Sequence, residues 1–164
     1  MLYLCMKKII ILSIAFALLA PISTFGQCEY SLNEIDNFTG IKKIETKPAT
    51  LHRDFNSAIS FSFCRYDSSS FIRVNLNFTG LTYSIIEGDK IIIKLGDSII
   101  EIIASKTEIA TGYTSLTYYA SEADLEKIKS NYITDIRVHL RDSFVSKAIK
   151  PKNAEKIKVA SNCI

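Results

Sequence analysis

A removable leader of 26 residues taken from the 164 leaves 138, enough for one domain and too few for a second independent core. With 48% hydrophobic and 23% charged residues the chain has the apolar area such a core requires, which excludes wholesale disorder. The formal net charge is +3, but Lys7 and Lys8 lie in the leader with no acid beside them, so the remainder carries +1; that argues against a nucleic-acid binder driven by bulk charge.

Lys7 and Lys8 precede the apolar run Ile9 to Ala20 and a polar tail, the order of a secretory signal peptide. Thr24 and Gly26 suit the small-residue positions before a cut, which places the mature start at Gln27. The 12 apolar residues are well short of the roughly 20 that a helix needs to span a bilayer, so no transmembrane anchor is expected after processing. Cys28 beside the cut raises lipid attachment. Phe25 and Gln27, however, stand where bacterial lipoproteins carry an aliphatic and a small residue, so a lipid-anchored surface protein ranks third among the readings.

Asp36, Asn37 and Gly40 form a turn leading into a short strand at Ile41 and Ile44. Next, Ile59, Phe61 and Phe63 alternate with Ser60, Ser62 and Cys64, the period of a half-buried strand. After a turn at Asp67 to Ser70, Ile72, Val74, Leu76 and Phe78 alternate with Arg73, Asn75 and Asn77, which predicts a hairpin. Leu81 to Ile86, Lys90 to Leu95 and Ser98 to Ala104 read as three strands joined by tight turns. The last two are nearly continuous apolar runs, so cover on both faces is expected. Thr111 to Tyr119, rich in Thr and Tyr, is one more strand.

Ser121 to Asp124 has capping-box spacing, and Leu125 and Ile128 follow three apart, predicting a short helix over 121–130. Ile133, Ile136, Val138 and Leu140 make a further strand. Pro151 suits a first helical turn, with Ala154, Ile157, Ala160 and Ile164 at near-helical intervals, although Lys156 to Val159 also alternates like a strand. The expected fold is a single α+β domain over 27–164, mainly an antiparallel sheet of six to eight strands, with the short helix and a C-terminal helix covering one sheet face.

Asn33, Glu34, Asp36, Phe38, Thr39 and Gly40, within NEIDNFTG, carry a resemblance. The segment is similar to the one that opens many small exported proteins of Bacteroidetes bacteria. That resemblance spans 15 to 20 residues and implies an exported compartment without implying any chemistry.

In an oxidising compartment a disulfide is plausible, and Cys28, Cys64 and Cys163 allow three single-bridge pairings. Cys28 with Cys163 is preferred, because chain ends in compact domains are often close. Cys64 would then be a free thiol, structural in preference to nucleophilic, since no Cys-x-x-Cys occurs and neither His52 nor His139 is near a cysteine in sequence.

The two histidines fit no metal-ligand spacing, and Asn33, Glu34, Asp36 and Asn37 match no calcium loop, so no metal is expected. Gly-x-Ser-x-Gly elbows and phosphate-cradling glycine loops are missing from the sequence, and no catalytic residue or cofactor is assigned. One surface stands out. Arg137, His139 and Arg141 alternate with Ile136, Val138 and Leu140, so three basic groups project from one sheet face about 7 Å apart. They are a candidate anion site, although a solvated strand face is the commoner meaning of such alternation.

These features point to an exported module of the periplasm or cell surface that acts by binding or assembly without catalysis. Its partner would be another protein or a small anionic ligand. The alternative is a small hydrolase with an unrecognised site, which a deep pocket lined by acids, or by His52 or His139 with a nearby serine or cysteine, would favour.

Overall fold

Ile59, Phe61 and Phe63 lie in β4 (Ser57–Tyr66), whose partner β5 (Ser69–Phe78) sets Leu76, Val74 and Ile72 opposite them. All six side chains are buried, so the alternation read from the sequence is the inner face of a hairpin. Asp67 turns the chain between them at φ +55°, a left-handed conformation that aspartate tolerates better than most residues.

The computed structural model describes residues 28–78, 88–110, 113–140 and 143–164. Before the hairpin come β1 (Tyr30–Ile35), β2 (Lys42–Thr46) and β3 (Ala49–Arg53). After it come β6 (Lys90–Leu95), β7 (Ser98–Ala110), β8 (Tyr113–Ala120), α1 (Glu122–Ser130), β9 (Asp135–Leu140), β10 (Ser143–Ala148) and α2 (Pro151–Ser161). The ten strands make one sheet in the order β1-β2-β4-β5-β8-β7-β6-β9-β10, with β3 also on β4, and every pairing is antiparallel. An α+β fold dominated by antiparallel sheet is thus what forms, but with ten strands among the described residues where six to eight were expected. The additional strands β1, β3 and β10 bury few side chains, so they carry almost no hydrophobic period. The leader, the segment Leu81 to Ile86 and Arg141 lie outside the described residues.

Two long strands change partner along their length. Along β4, residues Cys64 to Tyr66 pair with β2 and residues Ala58 to Phe61 pair with β3. Lys47 and Pro48 break the crossing chain, because proline supplies no N–H to a ladder. The Phe63 N–H that faces the break donates to Oγ1 of buried Thr46 at 3.0 Å. Likewise Ser98 to Ile103 of β7 pair with β6, and Ala104 to Ala110 pair with β8 across a bulge at Ser105.

The apolar face of the sheet packs against the helices. Leu125 and Ile128 of α1 and Ala154 and Ile157 of α2 are buried against that face, and α2 packs on β3, β4 and α1. Ser121 caps α1 by accepting the Asp124 N–H at 3.1 Å. Lys147 on β10 reaches Asp54, in the turn after β3, at 3.0 Å, which clasps the far edge of the sheet to its start. Cys28 and Cys163 form a disulfide, with their Cα atoms 5.6 Å apart, and the Tyr30 hydroxyl donates to the Cys163 carbonyl at 3.2 Å.

The expected cover on both faces of β6 and β7 does not hold. Ile99 and Ile103 are 62% and 61% exposed, because both helices lie on the other side of the sheet. No helix among the described residues is long and apolar enough to cross a membrane.

Asp54 and Asp36 are carboxylates held well below the usual range. His52 is the largest cause at Asp54, followed by the Ser57 hydroxyl and Lys147; at Asp36 it is Lys43, followed by the N–H groups of Thr39 and Phe38. A depressed folded-state value favours the fold above the ordinary value of 3.8 and loses that contribution as pH falls toward the folded one. The urea midpoint is therefore expected to drop as pH is lowered from about 5 to about 2. In an Asp36→Asn, Asp54→Asn variant that drop should be shallower, and an equally steep one would show that these pairs contribute nothing.

Candidate functional site

Two regions of the sheet face turned away from the helices carry chemistry. The first holds the residues singled out in the sequence. Arg137 and His139 project from β9, while Arg141 is not among the described residues. The Arg137 guanidinium lies 4.6 Å from the Phe144 ring centroid, and its Nε donates to Ser146 Oγ at 2.8 Å. His139 stands beside Phe144 with centroids 6.2 Å apart, and its enclosed Nε2 meets no hydrogen-bond partner. Arg137 borders a hollow of about 430 Å³ together with Lys94, Lys147 and Asp135; His139 does not. The hollow therefore carries both charge signs.

The second region was not singled out in the sequence. It gathers side chains of β2, β4, β5, β7 and β8 that strand pairing sets on one face. Cys64 stands opposite Phe71, Ser62 opposite Arg73, Arg73 opposite Thr117, Thr117 opposite Lys106, and Glu45 opposite Cys64. Arg73 Nη1 donates to Glu45 Oε1 at 2.5 Å, and Ser62 Oγ donates to the same oxygen at 3.3 Å. The Glu45 side chain is only 13% exposed and that of Arg73 29%, so this pair roofs Ser62 and Cys64, which are both buried. A one-sided antiparallel sheet ordinarily leaves such a face open to water.

Beside the roof lies a basin of about 420 Å³. It is lined by Cys64, by the rings of Tyr66 and Phe71, and by Arg73, Lys106, Thr117 and Ser105. The aromatic wall is braced, with Phe71 centroids 5.8 Å from Tyr66 and 5.9 Å from Tyr119. Ser105, at the bulge of β7, donates from Oγ to the Thr117 carbonyl at 3.0 Å, which holds the distorted ladder in place.

Cys64 is the free thiol among the described residues, and its setting suppresses nucleophilic chemistry. Burial, reinforced by the nearby Glu45 charge, pushes it up to about 12, so it stays protonated at neutral pH. Alkylation by iodoacetamide at pH 8 is expected to be undetectable in the folded protein and complete after denaturation. Rapid labelling of the native protein would contradict this environment. His52 bonds Asp54 at 3.1 Å, and among the described residues no hydrogen bond joins either histidine to a serine or cysteine.

The segment NEIDNFTG ends β1 at Ile35 and then folds as a hydrogen-bonded turn from Asp36 to Gly40. Asp36 Oδ1 accepts from Phe38 N and Thr39 N at 3.0 Å each, Oδ2 accepts from Lys43 Nζ at 2.6 Å, and Gly40 takes φ +71°. Phe38 at its tip is fully exposed.

The basin left only a weak trace in the sequence. Ser62, Cys64, Arg73 and Asn75 occupy the polar phase of two predicted strands, and only the register brings Thr117 and Lys106 beside them. Comparison of the chain with family models, with curated proteins and with solved structures finds no match.

Proposed function

We propose that the chain is an exported module that works by binding through the outer face of its sheet, without catalysing a reaction. The observation that carries this reading is the basin beside Arg73. There a nearly enclosed ion pair, a buried thiol and a braced aromatic wall stand on the side of the sheet that faces away from the core. Concave sites with an apolar wall and a few fixed polar groups are the usual form of small-ligand sites. The thiol held protonated and the histidines apart from any nucleophile weigh against the small-hydrolase alternative. A disulfide joining Cys28 to Cys163 is compatible with a periplasmic or surface location.

Amide chemical shifts of the purified protein, titrated with the small-molecule fraction of an envelope extract, test the reading. Shifts concentrated on β4, β5, β7 and β8, with the fraction itself unchanged over hours, are the expected result. Consumption of a component while those strands stay silent overturns it in favour of an enzyme. Recovery of the protein from the envelope with Gln27 at its N-terminus is expected; an uncut Met1 form confined to the cytosol overturns the exported part.

A second reading attaches to the hollow beside Arg137, supported by the guanidinium that Phe144 and Ser146 hold in place. Here a small anion or an acidic partner would be bound. Reversing charge at Arg137 and Arg141 together should abolish salt-sensitive binding with thermal stability nearly unchanged. Unaltered binding in that variant ends this second reading.

A further inference from the structure

On the second reading, that the region beside Arg137 binds an acidic partner, we propose that this partner is an extended peptide segment. It adds to the sheet as an antiparallel strand beside β10 and sets an Asp or Glu carboxylate against the Arg137 guanidinium. β10 ends the strand order, and among the described residues no strand pairs with its second side. The Ile149 N–H donates to the Thr134 carbonyl at 2.8 Å, which fixes the phase of the ladder with β9. Val145 and Lys147 therefore bond to β9, while Phe144, Ser146 and Ala148 turn their N–H and C=O groups outward. A lysine commonly guards such an edge. Lys147 does not, because Asp54 holds its Nζ at 3.0 Å, and Phe144 is left 56% exposed on the open strand.

The guanidinium stands at this edge although Arg137 belongs to β9. Its contacts with Ser146 Oγ and the Phe144 ring lay the side chain across β10, beside two residues whose backbone faces outward. Among the described residues no carboxylate pairs with Arg137: Glu101 is held by Lys90 and Asp54 by Lys147, while Asp135 lies opposite Lys94 in the register. The Nη donors thus keep their fork for a carboxylate from outside. On an added strand the residue opposite Ser146 meets that fork, and the residues two before and two after it cover Phe144 and Ala148. Main-chain bonds then supply affinity and alternate side chains supply specificity, so the segment is one with an acid flanked at alternate positions by apolar side chains. A second copy of this chain fits less well, because two-fold pairing of β10 with itself brings two Arg137 guanidiniums to one seam.

Titration of the folded protein with the capped peptide Thr-Ile-Thr-Glu-Thr-Ile-Thr and with its glutamine counterpart, followed by amide shifts and hydrogen exchange, is the experiment. The glutamate peptide is expected to bind about tenfold more tightly than the glutamine one and to slow exchange of the Phe144, Ser146 and Ala148 amides. Arg137→Gln should bring the two peptides to equal affinity. Methylating the backbone nitrogens of the glutamate and the two isoleucines, which face β10 in antiparallel pairing, should abolish binding; methylating those of the two threonines beside the glutamate should not. The methylated peptides act on the unaltered protein, so they serve if Arg137→Gln fails to fold.

Equal binding of the glutamate and glutamine peptides, or unchanged exchange along β10, overturns the proposal. Separate titrations with sodium acetate and inorganic phosphate tell that failure from failure of the reading beneath it. If either anion moves the amides of Lys94, Arg137 and Ser146 while the peptides bind no better, the region takes a small anion and only strand addition fails. If peptides and anions alike leave β9 and β10 unmoved, the anion reading of Arg137 fails as well. Protection of β10 that rises with protein concentration in the absence of peptide assigns the edge to a second copy and overturns the proposal.

Discussion

Replacing Cys28 and Cys163 together by serine is expected to lower the stability of the fold by about 4–5 kcal/mol in the chain-entropy account. The sulfurs close a loop with a sequence separation of 135, and the entropy removed from the unfolded chain grows with loop length. For a domain of this size the loss corresponds to a fall in Tm on the order of 10–20 °C. At the junction the Tyr30 hydroxyl donates to the Cys163 carbonyl, the Lys47 N–H to the Glu29 carbonyl and the Cys163 N–H to the Ala160 carbonyl, and the Lys47 and Glu29 side chains pair at 3.3 Å. The ends should fray in the variant while the sheet stays intact. Scanning calorimetry of wild type and double variant, with and without reductant, measures the effect. Peptide mapping of unreduced protein that found Cys163 as a free thiol would remove its basis.

Phe61→Ala is the second large effect, with an expected cost of about 3–5 kcal/mol. Phe61 has no solvent exposure, faces Val74 on β5 and Ala49 on β3, and meets Phe63 edge to face with centroids 6.5 Å apart. Truncation there leaves a void walled by two strands of a sheet that helices hold in place, so collapse into it is limited. Phe38→Ala is the control. That ring is fully exposed at the tip of the β1–β2 turn, and its loss should change stability by no more than about 0.5 kcal/mol. Chemical denaturation of both variants decides the contrast. Equal losses would mean that Phe38 packs against something or that Phe61 does not.

The same contrast explains how far the fold was legible. Where a strand is buried on one face, as with Ile59, Phe61 and Phe63 or Ile72, Val74 and Leu76, the period of two stands plainly in the residues. Both helices announced themselves by Ser121 before Leu125 and by Pro151 before Ala154 and Ile157. The strands at or near the sheet edges did not. β1 has no fully buried side chain, and β3 has only Leu51, so neither had a pattern to show. The runs in β6 and β7 misled for the converse reason. Isoleucine favours strands whichever face it points to, and Ile99 and Ile103 point to water. The basin was hidden because its members come from four strands, and proximity across strands depends on register.

The bridge between Cys28 and Cys163 also gives the described chain the covalent form of a nearly closed ring. One cut by a protease in an exposed turn such as Gly96-Asp97 would leave both pieces tethered, so the molecule loses a peptide bond without losing a part. In surroundings rich in peptidases and poor in thiols, a nicked copy has every strand still at hand for re-pairing.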